Sequence, residues 1–244
     1  MSVKAKPQSG EAPPPDYAEL HRHHRSDDVR RKHGARVALG KLFEHVAPQS
    51  VVDFGCGLGI WLEAALELGV TEVHGVEGTW LDKSLLSIDP GAVSHADLAK
   101  PVILGRRFDL ALSIEVAEHL PETAAEIFVA TLTGHADLVM FSAAIPLQGG
   151  VGHVNEQWPT YWAEKFRHHG YVPVDFIRAQ IWADKSIKWP LRQNLLVFAA
   201  LSLVEPGAAL AELYHRVKNL MPLDLPHPEL YLHHARRSEL KAKL

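Results

Sequence analysis

Cysteine is almost absent from this sequence, with Cys56 the only one among 244 residues. A lone thiol can form neither an internal disulfide nor a multi-thiolate zinc site, and it fits a reducing compartment. No apolar run approaches the roughly 20 residues needed to cross a bilayer. The first residues are polar and proline-rich and lack the apolar stretch of a secretory signal. A cytoplasmic protein without a membrane partner is expected. A surplus of positive charge is missing too: Lys and Arg number 25 against 29 Asp and Glu, the formal net charge is -4, and the basic residues are scattered. That excludes the electrostatic footprint usual for a nucleic-acid binder. No internal repeat is visible. With 47% hydrophobic residues, the chain can bury a substantial core, and its length suits one ordinary domain with modest additions.

Residues 1–25 read as a tail with almost nothing to bury, and Pro13, Pro14 and Pro15 disfavour a helix there. Ser26, Asp27 and Asp28 offer an N-cap, followed by Val37, Leu39, Leu42, Phe43 and Val46 at helical spacing. Residues 26–204 form the expected main domain. Within it, apolar strand candidates at 51–54, 72–76, 92–94, 108–113, 137–142, 171–177 and 194–200 alternate with helical stretches at 61–68, 121–132 and 158–169. Such alternation argues for a parallel sheet covered by helices on both faces. Between the last two strands no helical pattern is evident, which allows antiparallel pairing. Residues 205–244 then supply a helix near 208–220 and a Pro-rich, His-rich stretch whose pattern assigns it no place.

The most informative segment is Val51-Val52-Asp53-Phe54-Gly55-Cys56-Gly57-Leu58-Gly59. An apolar strand runs directly into glycines and then into a helix, at the sheet edge where doubly wound folds bind ligands. Glycines let a ligand lie against backbone amides, and the helix N-terminus adds N–H donors. A dinucleotide fingerprint, GxGxxG, needs its third glycine at position 60, where this chain has Ile60. The spacing here is GxGxG, and Asp53 stands two residues before Gly55, where an acid can hold an ammonium group directly or through water.

This segment resembles the first motif of the class I S-adenosylmethionine-dependent methyltransferases, and three later segments resemble the motifs that follow it. Val73-His74-Gly75-Val76-Glu77 is similar to the second strand, which ends in the carboxylate that accepts from the ribose hydroxyls; Gly78 and Trp80 follow, with Trp80 placed to pack on adenine. His95-Ala96-Asp97-Leu98 resembles the motif whose aspartate receives the adenine amino group and whose next amide faces the ring. Residues 108–121 resemble the fourth strand with an EVxEHxP continuation, drawing in Glu115. Taken singly, Asp53 is an ordinary strand-end carboxylate, Glu77 a capping acid and Asp97 a turn residue; four ordered matches between about 50 and 200 are specific. The resemblance implies a doubly wound, mostly parallel seven-stranded sheet of the Rossmann-like methyltransferase type with its last strand antiparallel. It also implies S-adenosyl-L-methionine as cofactor, bound by Asp53, Gly55, Cys56, Gly57, Gly59, Glu77, Gly78, Trp80, Asp97, Leu98 and Glu115. Cys56 fills the turn and is given no catalytic role.

Methyl transfer from a sulfonium needs donor and acceptor aligned and water excluded. An acceptor hydroxyl or amine that must lose a proton also needs a base, and histidine is the usual one. Among sixteen histidines, His119 and His153 are the catalytic candidates, one just after the fourth strand and the other in the loop after the fifth. The stretch from Gly149 to Pro159, rich in glycine and then in polar groups, resembles a segment of bacterial methyltransferases of surface glycans or secondary metabolites. O-methylation of a small hydroxylated acceptor is therefore expected. Trp158, Tyr161 and Trp162 either line the acceptor pocket or pack in the core. The pairs and clusters at His21, His23 and His24, His168 and His169, and His233 and His234 lack a recognised ligand spacing and read as surface residues, so no metal site is expected. Two alternatives are a protein that binds S-adenosylmethionine only to regulate or scaffold, and an NAD-dependent oxidoreductase. Glycine spacing, Asp53 and Asp97 all point away from the second.

Overall fold

A computed structural model describes residues 28–241. The Pro13 to Pro15 tail, Ser26, Asp27 and the histidines at 21, 23 and 24 lie outside the described residues. The first helix, α1 (Asp28–Phe43), leads into β1 (Ser50–Phe54), α2 (Ile60–Glu67), β2 (Glu72–Glu77) and the short β3 (Val93–His95). The chain then crosses back to β4 (Leu110–Ile114), α3 (Ala125–His135), β5 (Leu138–Ser142), α4 (Pro159–His168) and β6 (Tyr171–Pro173). Two small helices, α5 (Ile177–Ile181) and α6 (Trp189–Asn194), precede β7 (Leu196–Ala200), and α7 (Ala211–Val217) and α8 (Pro228–Lys241) close the described chain.

All seven strands share one sheet in the order β3-β2-β1-β4-β5-β7-β6. β1 pairs in parallel with β2 and β4, as does β4 with β5; β7 runs antiparallel to both β5 and β6. The doubly wound, mostly parallel sheet implied by the resemblance is thus present, and its antiparallel strand is the last in sequence. The order reverses between β1 and β4, so the chain leaves a crevice at their carboxyl ends.

The strands are buried on both faces, as parallel strands under helices must be. Val51, Leu110, Leu112, Met140 and Val197 face one layer with Leu39 and Leu42 of α1 and Leu62 of α2. Val52, Phe54, Ala111, Val139 and Phe198 face the other with Phe128 and Leu132 of α3 and Trp162 and Phe166 of α4. There Phe166 stacks on Phe198 with ring centroids 3.9 Å apart. Among the described residues no helix is long and apolar enough to cross a membrane.

Two readings of the sequence need correction. The strand expected over 171–177 stops at Pro173, because proline has no N–H for the ladder and is tolerated only on an edge strand such as β6. Residues 177–194 do contain helices, but α5 has 5 residues and α6 has 6, too few for a 3.6-residue period to register. Both are fixed by buried arginines. Arg178 is fully buried, pairs with Asp175 and donates to the carbonyls of Leu223 and Pro222 at 2.9 and 3.0 Å. Arg192 donates to the carbonyls of Ile187 and Trp182 at 3.1 and 2.8 Å and pairs with Glu229. These bonds bind the stretch beyond residue 220 to the domain, and its last part forms α8.

Candidate active site

The turn after β1 opens the site. Gly55, Gly57 and Gly59 take φ values of 88°, 52° and 81°, the left-handed region that side chains avoid. At two of them space is short as well. A Cβ on Gly55 would stand 2.4 Å from Val116, and one on Gly59 would stand 2.8 Å from Ile88. The backbone of the turn is pinned by Gly55 and Cys56 N–H groups donating to the Val76 carbonyl at 2.8 and 3.3 Å.

Over this turn lies a cavity of about 290 Å³ lined by Gly55, Gly57, Leu58, Glu77, Trp80, Asp97, Leu98, Glu115, Val116 and His119, with Arg31 of α1 at its rim. Glu77 ends β2 with its carboxylate accepting from the Gly57 and Gly78 N–H groups, both at 2.8 Å. Trp80 is 45% exposed and lays its indole against Gly78, where a Cβ would come within 2.1 Å of the ring. Asp97 caps its own turn through Ala99 N–H at 3.0 Å and pairs with Lys100 at 3.0 Å. That lysine, and then the amide, hold its carboxyl below the usual range. Seven of the expected cofactor residues, Gly55, Gly57, Glu77, Trp80, Asp97, Leu98 and Glu115, therefore converge on one cavity.

The other four stand behind it. Cys56 is buried, and its sulfur would lie 2.7 Å from a Cβ on Gly75, so the small side chain fills the space that β2 leaves. Burial, with Asp53 and Glu77 nearby, pushes its thiol well above the ordinary range, which keeps it an inert thiol. Gly59 and Gly78 act through the backbone. Asp53 is 2% exposed with Oδ1 lacking any hydrogen-bond partner, and burial, then the neighbouring Glu77, pushes its pKa up to about 7. An orphaned buried carboxylate beside a glycine cradle is the vacancy a ligand ammonium would satisfy. The residues present suit S-adenosylmethionine in kind: a buried carboxyl lacking a donor at Asp53, a carboxylate at Glu77 and apolar surface at Trp80 and Leu98.

The other side of the cavity is built by β4 and the segment after it, backed by β5 and the loop that follows. Glu115 has φ 56°, a strained setting for a side-chain-bearing residue at a strand end. It is held there by Gln148 Nε2 at 3.1 Å and Asn194 Nδ2 at 3.0 Å, while Gln193 Nε2 donates to both Gln148 Oε1 and Asn194 Oδ1 at 3.1 and 2.9 Å. Gln193 Oε1 accepts from His227 N–H at 2.7 Å. The loop after β5 folds back as Val154 and Asn155 N–H groups donate to the Glu118 carbonyl at 2.9 and 3.1 Å. This brings His153 against His119, with ring centroids 4.9 Å apart and nearly perpendicular.

Both imidazoles are oriented by acceptors. Nδ1 of His119 lies 3.2 Å from the Gly152 carbonyl, and Nδ1 of His153 lies 2.8 Å from Glu156 Oε1. Since a carbonyl only accepts, and Glu156 as a carboxylate already accepts from Leu147 and Gly149 N–H groups, each Nδ1 carries the proton. Burial, then His153, lowers His119 to a pKa of about 4 and keeps it neutral. His119 lines the cavity, whereas His153 is the second layer that touches it.

Trp162 is 2% exposed and packs 5.2 Å from Phe141, so it belongs to the core. His168 and His169 pair with Glu164 and Glu126, and His234 Nε2 donates to the Leu147 carbonyl at 2.5 Å. A wider groove of about 540 Å³ is lined by Pro101, Ile103, Arg106, Ile127 and His135. No expected site residue lines it, and His135 is occupied by Thr131 O and Leu104 N. The sequence reading assigned no role to Arg31, Gln148, Glu156, Gln193 or Asn194. Glu156 was discoverable as an acid three residues from His153; the amides carry no signal before the fold brings them together.

The chain matches a methyltransferase-domain family over residues 21–183. No curated protein matches it in sequence. Among solved structures, it resembles the methyltransferase domain of bacterial CtHen1 with TM-score 0.50 and 19% identity, over 68% of this chain and 97% of that one. The sugar N-methyltransferase KedS8 from Streptoalloteichus sp. matches with TM-score 0.52 and 16% identity, over 82% and 98%. A complex of the Haloferax volcanii Trm112 methyltransferase activator with a methyltransferase matches with TM-score 0.52 and 14% identity, over 78% and 99%.

Proposed function

Because the chain belongs to the methyltransferase-domain family and is an S-adenosylmethionine-dependent methyltransferase, we propose that its acceptor is a small hydroxylated molecule, a sugar or secondary metabolite, and that the product is a methyl ether. When bound, S-adenosylmethionine supplies an electrophilic methyl group on a sulfonium; the net reaction yields the methyl ether, S-adenosylhomocysteine and a proton. In this reading Asp53, the glycine turn, Glu77, Trp80, Asp97 and Leu98 bind and orient the donor. Glu115 marks the boundary between donor and acceptor, since it also lines a second hollow of about 220 Å³ with Arg30, Arg31, Trp61, Lys188 and Leu191.

The observation that carries the hydroxyl reading is the oriented imidazole pair at the mouth of the cavity. A histidine whose Nδ1–H is fixed by a carboxylate, as His153 is by Glu156 at 2.8 Å, can offer Nε2 as a base. A hydroxyl needs such help more than an amine that arrives neutral. A cytoplasmic setting accords with the single, buried Cys56.

Calorimetric titration with S-adenosylmethionine, S-adenosylhomocysteine and NAD in parallel tests the donor side. Incubation with hydroxylated and aminated sugars, read by a mass gain of one methylene, tests the acceptor side. The aminated arm is included because one similar structure is a sugar N-methyltransferase, and turnover of amino sugars alone would replace the hydroxyl reading.

A further inference from the structure

One carboxylate stands out by what it lacks. Glu118 is fully buried, and neither of its side-chain oxygens has a hydrogen-bond partner. Two unmade bonds on one buried acid are a cost that folding seldom tolerates without use. The potential ligand atoms of Glu118, His119 and His153 all lie within 4.8 Å of one another.

The two imidazoles have the set-up of metal-binding histidines. Each donates one ring N–H outward, His119 to a backbone carbonyl and His153 to the Glu156 carboxylate, the outer contacts that fix tautomer and ring orientation in such sites. Two imidazole nitrogens and one carboxylate suit a divalent first-row transition ion better than Mg²⁺ or Ca²⁺, which prefer oxygen alone. Ligands at about 2.1 Å from an ion stand roughly 3 to 3.5 Å apart, so binding would draw the three side chains inward by about an ångström.

We propose that Glu118, His119 and His153 form a binding site for a divalent first-row transition-metal cation beside the cavity that His119 lines. The cation supplies the charge that the Glu118 oxygens lack. Its role rests on the hydroxyl reading above: a hydroxyl reaching the cation becomes more acidic, its proton passes to solvent water, and the electron pair left on oxygen is the nucleophile. The histidines then serve as ligands, and His153 does not act as the base while the ion is bound.

The test is titration of the chelator-stripped full chain with Co²⁺ and with Mn²⁺, without donor or acceptor, by calorimetry and by the visible absorption of Co²⁺. One Co²⁺ per chain is expected, with affinity reduced about 100-fold or more in Glu118→Gln and in His153→Ala. Circular dichroism confirms that each variant is folded, and if Glu118→Gln is not, the loop variant His153→Ala decides. Absence of Co²⁺ absorption up to about millimolar metal, or equal binding by wild type and both variants through surface histidines, overturns the proposal. S-adenosylmethionine titration on the same sample separates the two readings: donor binding without metal binding defeats this site alone, and metal binding without donor binding defeats the proposed function alone.

Discussion

His119 and His153 meet edge to face with ring centroids 4.9 Å apart, although one follows β4 and the other lies in the loop after β5. The contact depends on Glu118, whose carbonyl takes the Val154 and Asn155 amides, and on Glu156, which closes the loop through Leu147, Gly149 and His153. One backbone clasp therefore carries both imidazoles.

Replacing His153 with alanine should lower kcat by roughly 10²- to 10⁴-fold while S-adenosylmethionine affinity stays within about twofold. Glu156→Gln keeps an acceptor for Nδ1 but loses the charge, and a smaller loss of about 10- to 100-fold is expected. Steady-state kinetics beside donor titrations measure both, and normal turnover in His153→Ala would remove it from the site.

Asp53 gives a pH signature whose sign follows from its environment. Its carboxyl keeps the proton up to about pH 7 in the folded chain, against an ordinary value of 3.8. Between those values the folded state holds a proton that the unfolded state has lost, so this group's contribution is fully present below about 3.8, falls as pH rises and is gone above about 7. Asp53→Asn should abolish that part of the slope, seen as a smaller fall in Tm from pH 5 to pH 7.5 than in wild type. The same variant should bind S-adenosylmethionine at least tenfold more weakly.

Gly55→Ala combines a left-handed φ with a Cβ 2.4 Å from Val116. Strain and overpacking together should cost about 2–5 kcal/mol, measurable as a lower urea midpoint, with donor binding lost. Gly57→Ala has the same backbone demand but no neighbour within 4 Å, so it should cost less.

Arg178→Met leaves Asp175 buried and without its partner; Asp175 Oδ1 already lacks a hydrogen bond. A loss of about 3–5 kcal/mol is expected in urea unfolding. Limited proteolysis should cut beyond residue 220 first, because the carbonyls of Pro222 and Leu223 lose their donor.

The glycine turn and the carboxylates around it were legible in the sequence because each of their requirements is local. A strand, three glycines and an acid at fixed offsets in 53–59 state the turn, and Glu77 and Asp97 each close a strand or turn of their own. The amide network behind Glu115 is written differently. Gln148, Gln193 and Asn194 come from two segments and act only once β7 has been inserted between β5 and β6. Glu118 looked like part of a motif, but its burial without partners is a property of packing, which no spacing records. Likewise α5 and α6 are set by Arg178 reaching the carbonyls of Pro222 and Leu223 and by Arg192 reaching the Glu229 carboxylate, not by a periodic apolar face.

The amide ladder that supports Glu115 runs through Gln193 to the backbone of His227, and its far end lies just before α8. A disturbance near residue 227, such as a mutation, a cleavage or a fused tag that pulls on α8, would thus arrive at the cavity as a change in the tilt of the Glu115 carboxylate. Loss of activity without loss of melting temperature would be its mark, and the outermost helix would act as a tuning screw for the chemistry.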